Sequence, residues 1–343
     1  MKRNRIRNLT ALVLALVMIF ALAACGQKQE SEPTPTPAPE ADASLPVNVM
    51  VLNGTTGFGM AGLISDSEAG NAALNYTFSV ETDASNITAA LVNGTADIGA
   101  LPTNAAATLY NKTGGKVQVQ VLALNTLGVL YLVTDGSEEI TSFEDLRGKT
   151  VYAPAQNPTF IFQALCEKNG LAVGEDITID NTYAQPADLN TAVSSGEVSL
   201  AVLPEPMVTV ARSANDQLTV ALDLTAEWDK VMPAGSLVQG CVVVRTEFAE
   251  EHPAEVAKFL EEYEASIELL TSDTAAAAQK IEETGVFAKA AVAQKAIPNC
   301  NVCFVTGAEM QSALGEFLNV MFEVAPDSIG GAVPADDFYC ILK

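Results

Sequence analysis

Two stretches of the sequence lie over one another without a gap at an offset of 102 residues: ITAALVNGTADIGALPT (87–103) and LNTAVSSGEVSLAVLPE (189–205). Ala90 meets Ala192, Gly94 meets Gly196, and Leu101-Pro102 meets Leu203-Pro204. The same offset sets VNVMVLNGTTGF (47–58) over KTVYAPAQNPTF (149–160). The apolar strand cores then coincide, Phe58 falls on Phe160, and further along Leu63 falls on Leu165. A chain that repeats its order of elements at one spacing is built from two similar units. Identities are few, so the repeat argues for architecture rather than for common descent.

Each unit reads as strands alternating with helices. Strands are expected near 47–52, 76–82, 96–101 and 117–124, and again near 149–153, 177–183, 198–203 and 217–223. Amphipathic runs such as 59–74 and 158–169 supply the helices between them. This alternation predicts an α/β fold of two doubly wound lobes with parallel strands and right-handed crossovers. Two apolar runs, GVLYLVT (128–134) and GCVVVRT (240–246), bracket the second unit and are expected to cross between lobes as a two-strand hinge. The helical run EVAKFLEEYEASIELL (255–270) would return to the first lobe. The expected domains are therefore 45–128 plus 246–343 for one lobe and 129–245, hinge strands included, for the other. Ligands of open α/β sheets bind beyond the carboxyl ends of the strands, so two such lobes face one another across one cleft.

The N-terminus addresses this body. Residues 1–24 combine a basic start (MKRNRIRN), an apolar run from Leu9 to Ala23 and small residues before Cys25, the three parts of an export signal. The apolar run falls short of the about 20 residues that span a bilayer. Leu22-Ala23-Ala24-Cys25 resembles a bacterial lipobox, which implies cleavage before Cys25 and a lipid on its thiol. An ordinary secretory signal with an incidental cysteine is the alternative. Residues 25–44 are rich in proline, threonine and glutamate and read as an extended tether.

Charge narrows the partners. Setting aside Lys2, Arg3, Arg5 and Arg7 of the signal leaves 14 basic against 42 acidic residues, a formal charge of −28. Such a surface repels nucleic acid and anionic lipid. Cys166, Cys241, Cys300, Cys303 and Cys340 are odd in number and cannot all pair among themselves. CNVC (300–303) is a lone pair without the further ligands a zinc site needs, so no metal and no cofactor are expected. The one histidine, His252, stands before Pro253 at an expected helix start and is read as a cap.

With lipobox, tether, duplicated lobes and double hinge in view, the chain resembles the solute-binding lipoproteins of ABC importers, which have the type II periplasmic-binding-protein fold. Within them it is most similar to the nitrate/sulfonate/taurine and thiamine-precursor (NMT1/THI5-like) branch. NGTTGFGMAGLI, ALPTNAAATLYNKTGG, LNTLGVLYLV and SIGGAVPADDFY carry the likeness, over about residues 45–343. The resemblance implies a monomer without catalytic residues, on the outer face of the cytoplasmic membrane of a Gram-positive-type cell. It would pass a small organic solute to an ABC permease and ATPase complex. Two other readings stay open. One is an enzyme of the pyrimidine-synthesis type, for which the resemblance demands an active-site histidine and clustered cysteines. The other is a tethered sensor with the same cleft.

Four loops should face the cleft, in two pairs related by the offset. Thr55, Thr56, Gly57 and Phe58 pair with Asn157, Pro158, Thr159 and Phe160, each set opening a helix whose free N–H groups can hold a polar ligand. Simple capping by Thr56 and Asn157 is the alternative. The second pair joins Thr103 and Asn104 to Glu205, whose carboxylate could meet a ligand N–H or complement the following helix dipole. Asn125 and Thr126 precede the first hinge strand as a third contact. Phe58, Phe160 and Tyr183 could stack on a ring or sit in the core, and Trp228 could lie over the cleft or pack against the second lobe. None of Arg147, Arg212 and Arg245 falls in a cleft loop, which favours a neutral or cationic heterocycle over nitrate-like anions.

One motif points elsewhere. Gly57, Gly59 and Gly62 spell G-x-G-x-x-G after a strand, with Glu81 nineteen residues on, close to a dinucleotide fingerprint. The export signal places the motif outside the cell, and its counterpart PAQNPTFIFQAL has no glycine triplet. It is therefore read as half of a two-sided site.

Overall fold

The computed structural model of the protein describes residues 40–113 and 118–342. The signal, Cys25 and nearly all of the tether lie outside the described residues. No helix among the described residues is long and apolar enough to cross a membrane.

The first sheet begins with β1 (Pro46–Leu52), β2 (Asn75–Glu81), β3 (Ile98–Pro102) and β4 (Val119–Leu127). Between them run α1 (Thr55–Phe58), α2 (Ala61–Glu68), α3 (Ala84–Asn93) and α4 (Thr103–Thr113). The second sheet takes β5 (Leu130–Thr134), β6 (Thr150–Tyr152), β7 (Thr178–Asp180), β8 (Leu200–Pro204) and β9 (Thr219–Asp223). Its helices are α5 (Asn157–Lys168), α6 (Pro186–Ser194) and α7 (Met207–Ala214). The chain returns through α8 (Leu224–Val231) to β10 (Val238–Arg245). It closes with α9 (Thr246–Glu251), α10 (Pro253–Ser272), α11 (Thr274–Glu283), α12 (Ala290–Ala296), β11 (Val302–Val305) and α13 (Gly307–Val324).

The sheet orders are β11-β4-β10-β3-β1-β2 and β7-β6-β8-β5-β9. In each, three strands pair in parallel and one antiparallel strand stands before the fourth: β10 between β3 and β4, β5 between β8 and β9. Here the structure corrects the expected hinge. The two apolar runs do not form a ribbon between lobes, for each lies inside the sheet that the chain has just entered. Residues 238–245 thus belong to the first sheet, not to the second lobe. Continuous burial marked both runs as central strands but carries no information about which sheet receives them. What crosses are the short stretch between β4 and β5 and the α8 region.

The offset repeat has a local cause. Gly94 ends α3 at φ 77° and Gly196 follows α6 at φ 78°, a left-handed conformation that stops a helix and that glycine adopts at least cost. Leu101-Pro102 and Leu203-Pro204 close the equivalent strands β3 and β8. The helix expected over 59–74 is shorter: it runs over Ala61–Glu68, after a separate turn of helix at Thr55–Phe58, and stops before Gly70, which lies at φ 72°.

Three apolar cores result. One fills the outer face of the second sheet with α6 and α7. One fills a face of the first sheet under α2, α10, α11 and α12. The largest is continuous through both lobes, joining Leu101 and Leu124 to Val151, Phe162 and Val202 by way of Phe317 and Met321 on α13. Trp228, on α8, is fully buried there, its ring 6.1 Å from Phe317 and its Nε1 donating to Ser236 Oγ at 2.8 Å. Packing, rather than covering the cleft, is its role. His252 holds the N-cap position of α10 without a side-chain capping bond; its ring packs on Phe248 at 5.0 Å.

The glycine motif belongs to the same packing. A Cβ at Gly62 would stand 2.5 Å from Ser266 Oγ and 3.2 Å from Ser266 Cα; at Gly59 it would meet Ile267 at 2.6 Å. Ser266 Oγ in turn donates to Gly59 O at 2.5 Å and accepts from Leu63 N at 3.0 Å, locking α2 against α10. Gly62→Ala is expected to cost about 1–3 kcal/mol by overpacking. Differential scanning calorimetry should read this as a Tm lower by roughly 2–5 °C. An unchanged Tm would contradict the close helix contact. The single tryptophan gives a second check. Native emission should be blue-shifted and protected from acrylamide, and emission like that of free indole in water would displace Trp228 from the core.

Candidate functional site

The helices that follow β1, β3, β6 and β8 start where the two lobes meet, and the residues expected there fall into two groups. The first forms a polar seam with little room for anything else. Thr55, 7% exposed, donates from Oγ1 to Glu205 O at 2.7 Å. Asn125 Nδ2 donates to Thr56 O at 3.1 Å, and Thr126 Oγ1 donates to Asn125 Oδ1 at 3.1 Å. Thr103 Oγ1 donates to Val238 O at 2.8 Å and so pins the start of α4 to β10.

Glu205 is 4% exposed, and its carboxylate accepts from Thr209 N at 3.1 Å and Thr209 Oγ1 at 3.0 Å. Burial pushes its pKa above the ordinary carboxylate value, against the pull of Thr209, the Asn299 side chain and Arg212. Phe58 is fully buried, edge-on to Phe287 at 6.1 Å, and presents no face to a ligand. A Cβ on Gly57 would meet Leu52 O at 2.5 Å and Val286 at 2.9 Å. The space that a pyrophosphate would need over this turn is thus filled by the protein. Glu81 accepts from Ser79 Oγ and Asn86 Nδ2, an ordinary strand end. Tyr183 packs on the outer core of the second lobe, 6.0 Å from Tyr152.

The second group borders a cavity of about 800 Å³ between the lobes. The first lobe contributes Asp83, Ser85 and Thr88 from the start of α3, and Asn104, Thr108 and Lys112 from α4. The turn Pro326–Ile329 adds Asp327 and Ser328, and the second lobe adds Gln156 and Phe160. Asn104, Thr108 and Lys112 stand four residues apart on one helix face. At 1.5 Å per residue the cavity therefore follows α4 for about 12 Å. Ala105, Leu109 and Val92 make its apolar wall.

Local structure explains the positions. Asp83 caps α3 through Ser85 N at 2.8 Å, and that bond holds its carboxyl below the usual range. Gln156, before α5, adopts φ 66° and ψ −127°, a backbone region costly for a residue with a side chain. Thr159 Oγ1 donates to Pro154 O at 2.7 Å and accepts from Asn181 Nδ2 at 2.7 Å, which ties down that loop instead of reaching the cavity. Asn157, 9% exposed, opens α5, and its Oδ1 is buried without a partner among the described residues.

The turn carrying Asp327 and Ser328 begins a C-terminal strap laid on α4. Thr108 Oγ1 donates to Ser328 O at 3.0 Å, and Asn111 Nδ2 donates to Ile329 O at 2.6 Å and Ala332 O at 2.7 Å. Gly330, at φ 83°, passes so close that a Cβ would stand 3.1 Å from Thr108 Cα. Further on, Cys340 N donates to Val121 O at 2.9 Å.

Of the expected contact residues, only Asn104 and Phe160 line this cavity. The other ten either close the seam or support the loops. Sequence reasoning missed Lys112, Asp83, Gln156, Asp327 and Ser328. Lys112 was legible as the next step of the stripe through Asn104 and Thr108, but the charge argument had counted only arginines. Arg147 pairs with Glu144 and Asp176, Arg245 with Asp97 and Glu247, and neither lines the cavity. Asp327 and Ser328 come from the far end of the chain and had no local signal.

Cys166, Cys241, Cys300, Cys303 and Cys340 are free thiols. Burial pushes Cys166 and Cys303 up to about 12, far from a reactive thiolate. Among the described residues no cluster of three or more His, Cys, Asp or Glu could hold a metal ion. A second hollow of about 610 Å³ lies on the first lobe alone, between Ile267 and Glu268 of α10 and Cys303 and Phe304 of β11.

Comparison with known proteins bears on this geometry. No curated protein sequence matches the chain. Among solved structures it is similar to an ABC transporter protein from Parabacteroides distasonis. The two share 22% identity over 88% of this chain and 100% of that one, with a TM-score of 0.73. It is also similar to the periplasmic aliphatic sulphonate binding protein SsuA from Escherichia coli (14% identity, 88% and 96% covered, TM-score 0.66). The periplasmic nitrate-binding protein NrtA from Synechocystis follows (11%, 84% and 85%, TM-score 0.59). At these identities the likeness is one of fold, two α/β lobes about a cleft. The family description "NMT1/THI5 like" matches residues 71–277, more than half of the chain and reaching from β2 through both sheets into α11. The chain belongs to the NMT1/THI5-like family.

Proposed function

We propose that this protein is the extracytoplasmic solute receptor of an ABC importer, which captures a small organic molecule between its lobes and presents it to a permease and ATPase complex. The observation that carries the reading is the interlobe cavity of about 800 Å³, a size suited to a small organic ligand. Its lining offers amide, hydroxyl, aromatic and charged groups and, among the described residues, holds no histidine or cysteine, which suits binding. The apolar wall and Phe160 favour an organic solute over a bare inorganic anion. Two carboxylates, Asp83 and Asp327, against one ammonium, Lys112, favour a neutral or cationic heterocycle. Cleavage after Ala24 and a lipid on Cys25 would hold the receptor at the outer face of the membrane.

Three measurements test this reading. In a thermal-shift screen of pyrimidines, vitamins, purines, amino acids, alkanesulfonates and nitrate, a true solute stabilises as the logarithm of its excess. That amounts to about 2.7 kcal/mol at a hundredfold excess over Kd. Stabilisation by nitrate or alkanesulfonates alone would overturn the ligand class, and stabilisation by none of the panel would count against the receptor reading. Phe160→Ala should weaken the stabilising solute roughly tenfold in isothermal titration, since an aromatic contact of this size contributes about 1 kcal/mol or more. An unchanged Kd would remove the ring from the site. Cys25→Ala should move the protein from the membrane fraction to the soluble one, and retention in the membrane would refute the anchor.

A further inference from the structure

The polar seam crosses between the lobes in both directions. Thr55, after β1 of the first sheet, donates its hydroxyl to the Glu205 carbonyl at the end of β8 in the second. Tyr131, on β5 of the second sheet, donates its phenol to the carbonyl of Asn299 at 2.8 Å, just before β11 of the first. Glu205 stands where these two crossings meet. Its carboxylate is held by Thr209 at the start of α7, and the Asn299 side chain lies against it. Each carboxylate oxygen thus accepts a bond from Thr209, and the residue is only 4% exposed.

The lobes also share one apolar core through α13, with Trp228 against Phe317. That contact is shape-filling and has no single bond whose loss would release it. The seam is different in kind, being a few directional bonds between otherwise separate helices and loops. It lies beside the crossing between β4 and β5, where Glu205 N donates to Val129 O at 2.9 Å and Asn301 Nδ2 donates to Gly128 O at 2.6 Å, so its bonds bear on the angle between the lobes.

We propose that Glu205 is the positioning residue of an interlobe clasp: by holding Thr209 at the start of α7 it presents its own carbonyl to Thr55 and sets how closely the lobes meet around the cavity. The clasp acts on solute retention through lobe spacing and not through contact with the solute. Its effect on retention rests on the receptor reading, whereas its effect on the lobes does not.

Hydrogen–deuterium exchange on the full chain, with no solute added, separates the two. Glu205→Ala should raise exchange in 203–214 of its own lobe and also in 53–60 and 297–303 of the other, by roughly 3- to 10-fold for a hydrogen bond of ordinary worth. Glu205→Gln, which retains an acceptor, should restore most of the protection. Thr55→Val leaves the second lobe's interior untouched, yet should raise exchange in 205–210 as well as in 53–60. Protection in β1 and β3 should stay at the wild-type level throughout. An increase confined to 203–214 in Glu205→Ala, or no change across the seam in Thr55→Val, would reduce Glu205 to a local structural residue and overturn the clasp. Should Glu205→Ala fail to fold, the Thr55→Val arm decides alone. Because no solute is present, this outcome is independent of whether a thermal-shift screen finds one.

Discussion

Each sheet of this protein is completed by a strand that arrives from the other side. β5 enters the second sheet directly after the chain leaves the first, and β10 enters the first as the chain returns. Both insert antiparallel beside the third parallel strand, β8 or β3, so neither sheet is whole without the crossing. The lobes are thereby tied through the short stretch between β4 and β5 and the return before β10. The exchange also leaves the carboxyl ends of β1, β3, β6 and β8 at a common boundary. The cavity, the seam and the buried position of Glu205 all follow from that one arrangement.

Much of the frame could be read from the residues. The offset of 102 was a record of backbone needs: a left-handed glycine to end a helix, at Gly94 and Gly196, and a Leu-Pro pair to end a strand, at 101–102 and 203–204. Strand and helix positions followed from apolar periodicity. Pairing did not, because GVLYLVT and GCVVVRT are buried on both faces and such runs look alike in any central position. The glycine triplet was legible as a need for close approach but not as to what approaches. Gly59 and Gly62 admit α10, and Gly57 admits β1 and Val286.

The expected site residues divide between cavity and seam for a related reason. The loops after β1, β3, β6 and β8 do come together, as topology requires. Whether a side chain there faces a cavity or a neighbouring loop depends on packing across the lobes, which a single sequence does not encode. Thr55 and Glu205 satisfy one another; Asn104 and Phe160 are left to line the hollow. The polar and charged lining that was missed, Lys112 and Asp327, sits on the body of α4 and on a strap that returns from more than 200 residues away. Hydrogen bonds from Thr108 and Asn111 to the strap, with Ile329 buried in the shared core, bring that segment to the cavity.

The central claim is that the hollow along α4 holds the solute while the Thr55–Glu205 seam joins the lobes beside their crossing. A crystal structure of the protein with its most stabilising solute tests this most directly. The account predicts the solute between the start of α3, the Asn104–Lys112 face of α4 and Phe160, with the Glu205 carboxylate still bound to Thr209. A solute seated on the Glu205 carboxylate, or in the first-lobe hollow beside Cys303, would contradict it.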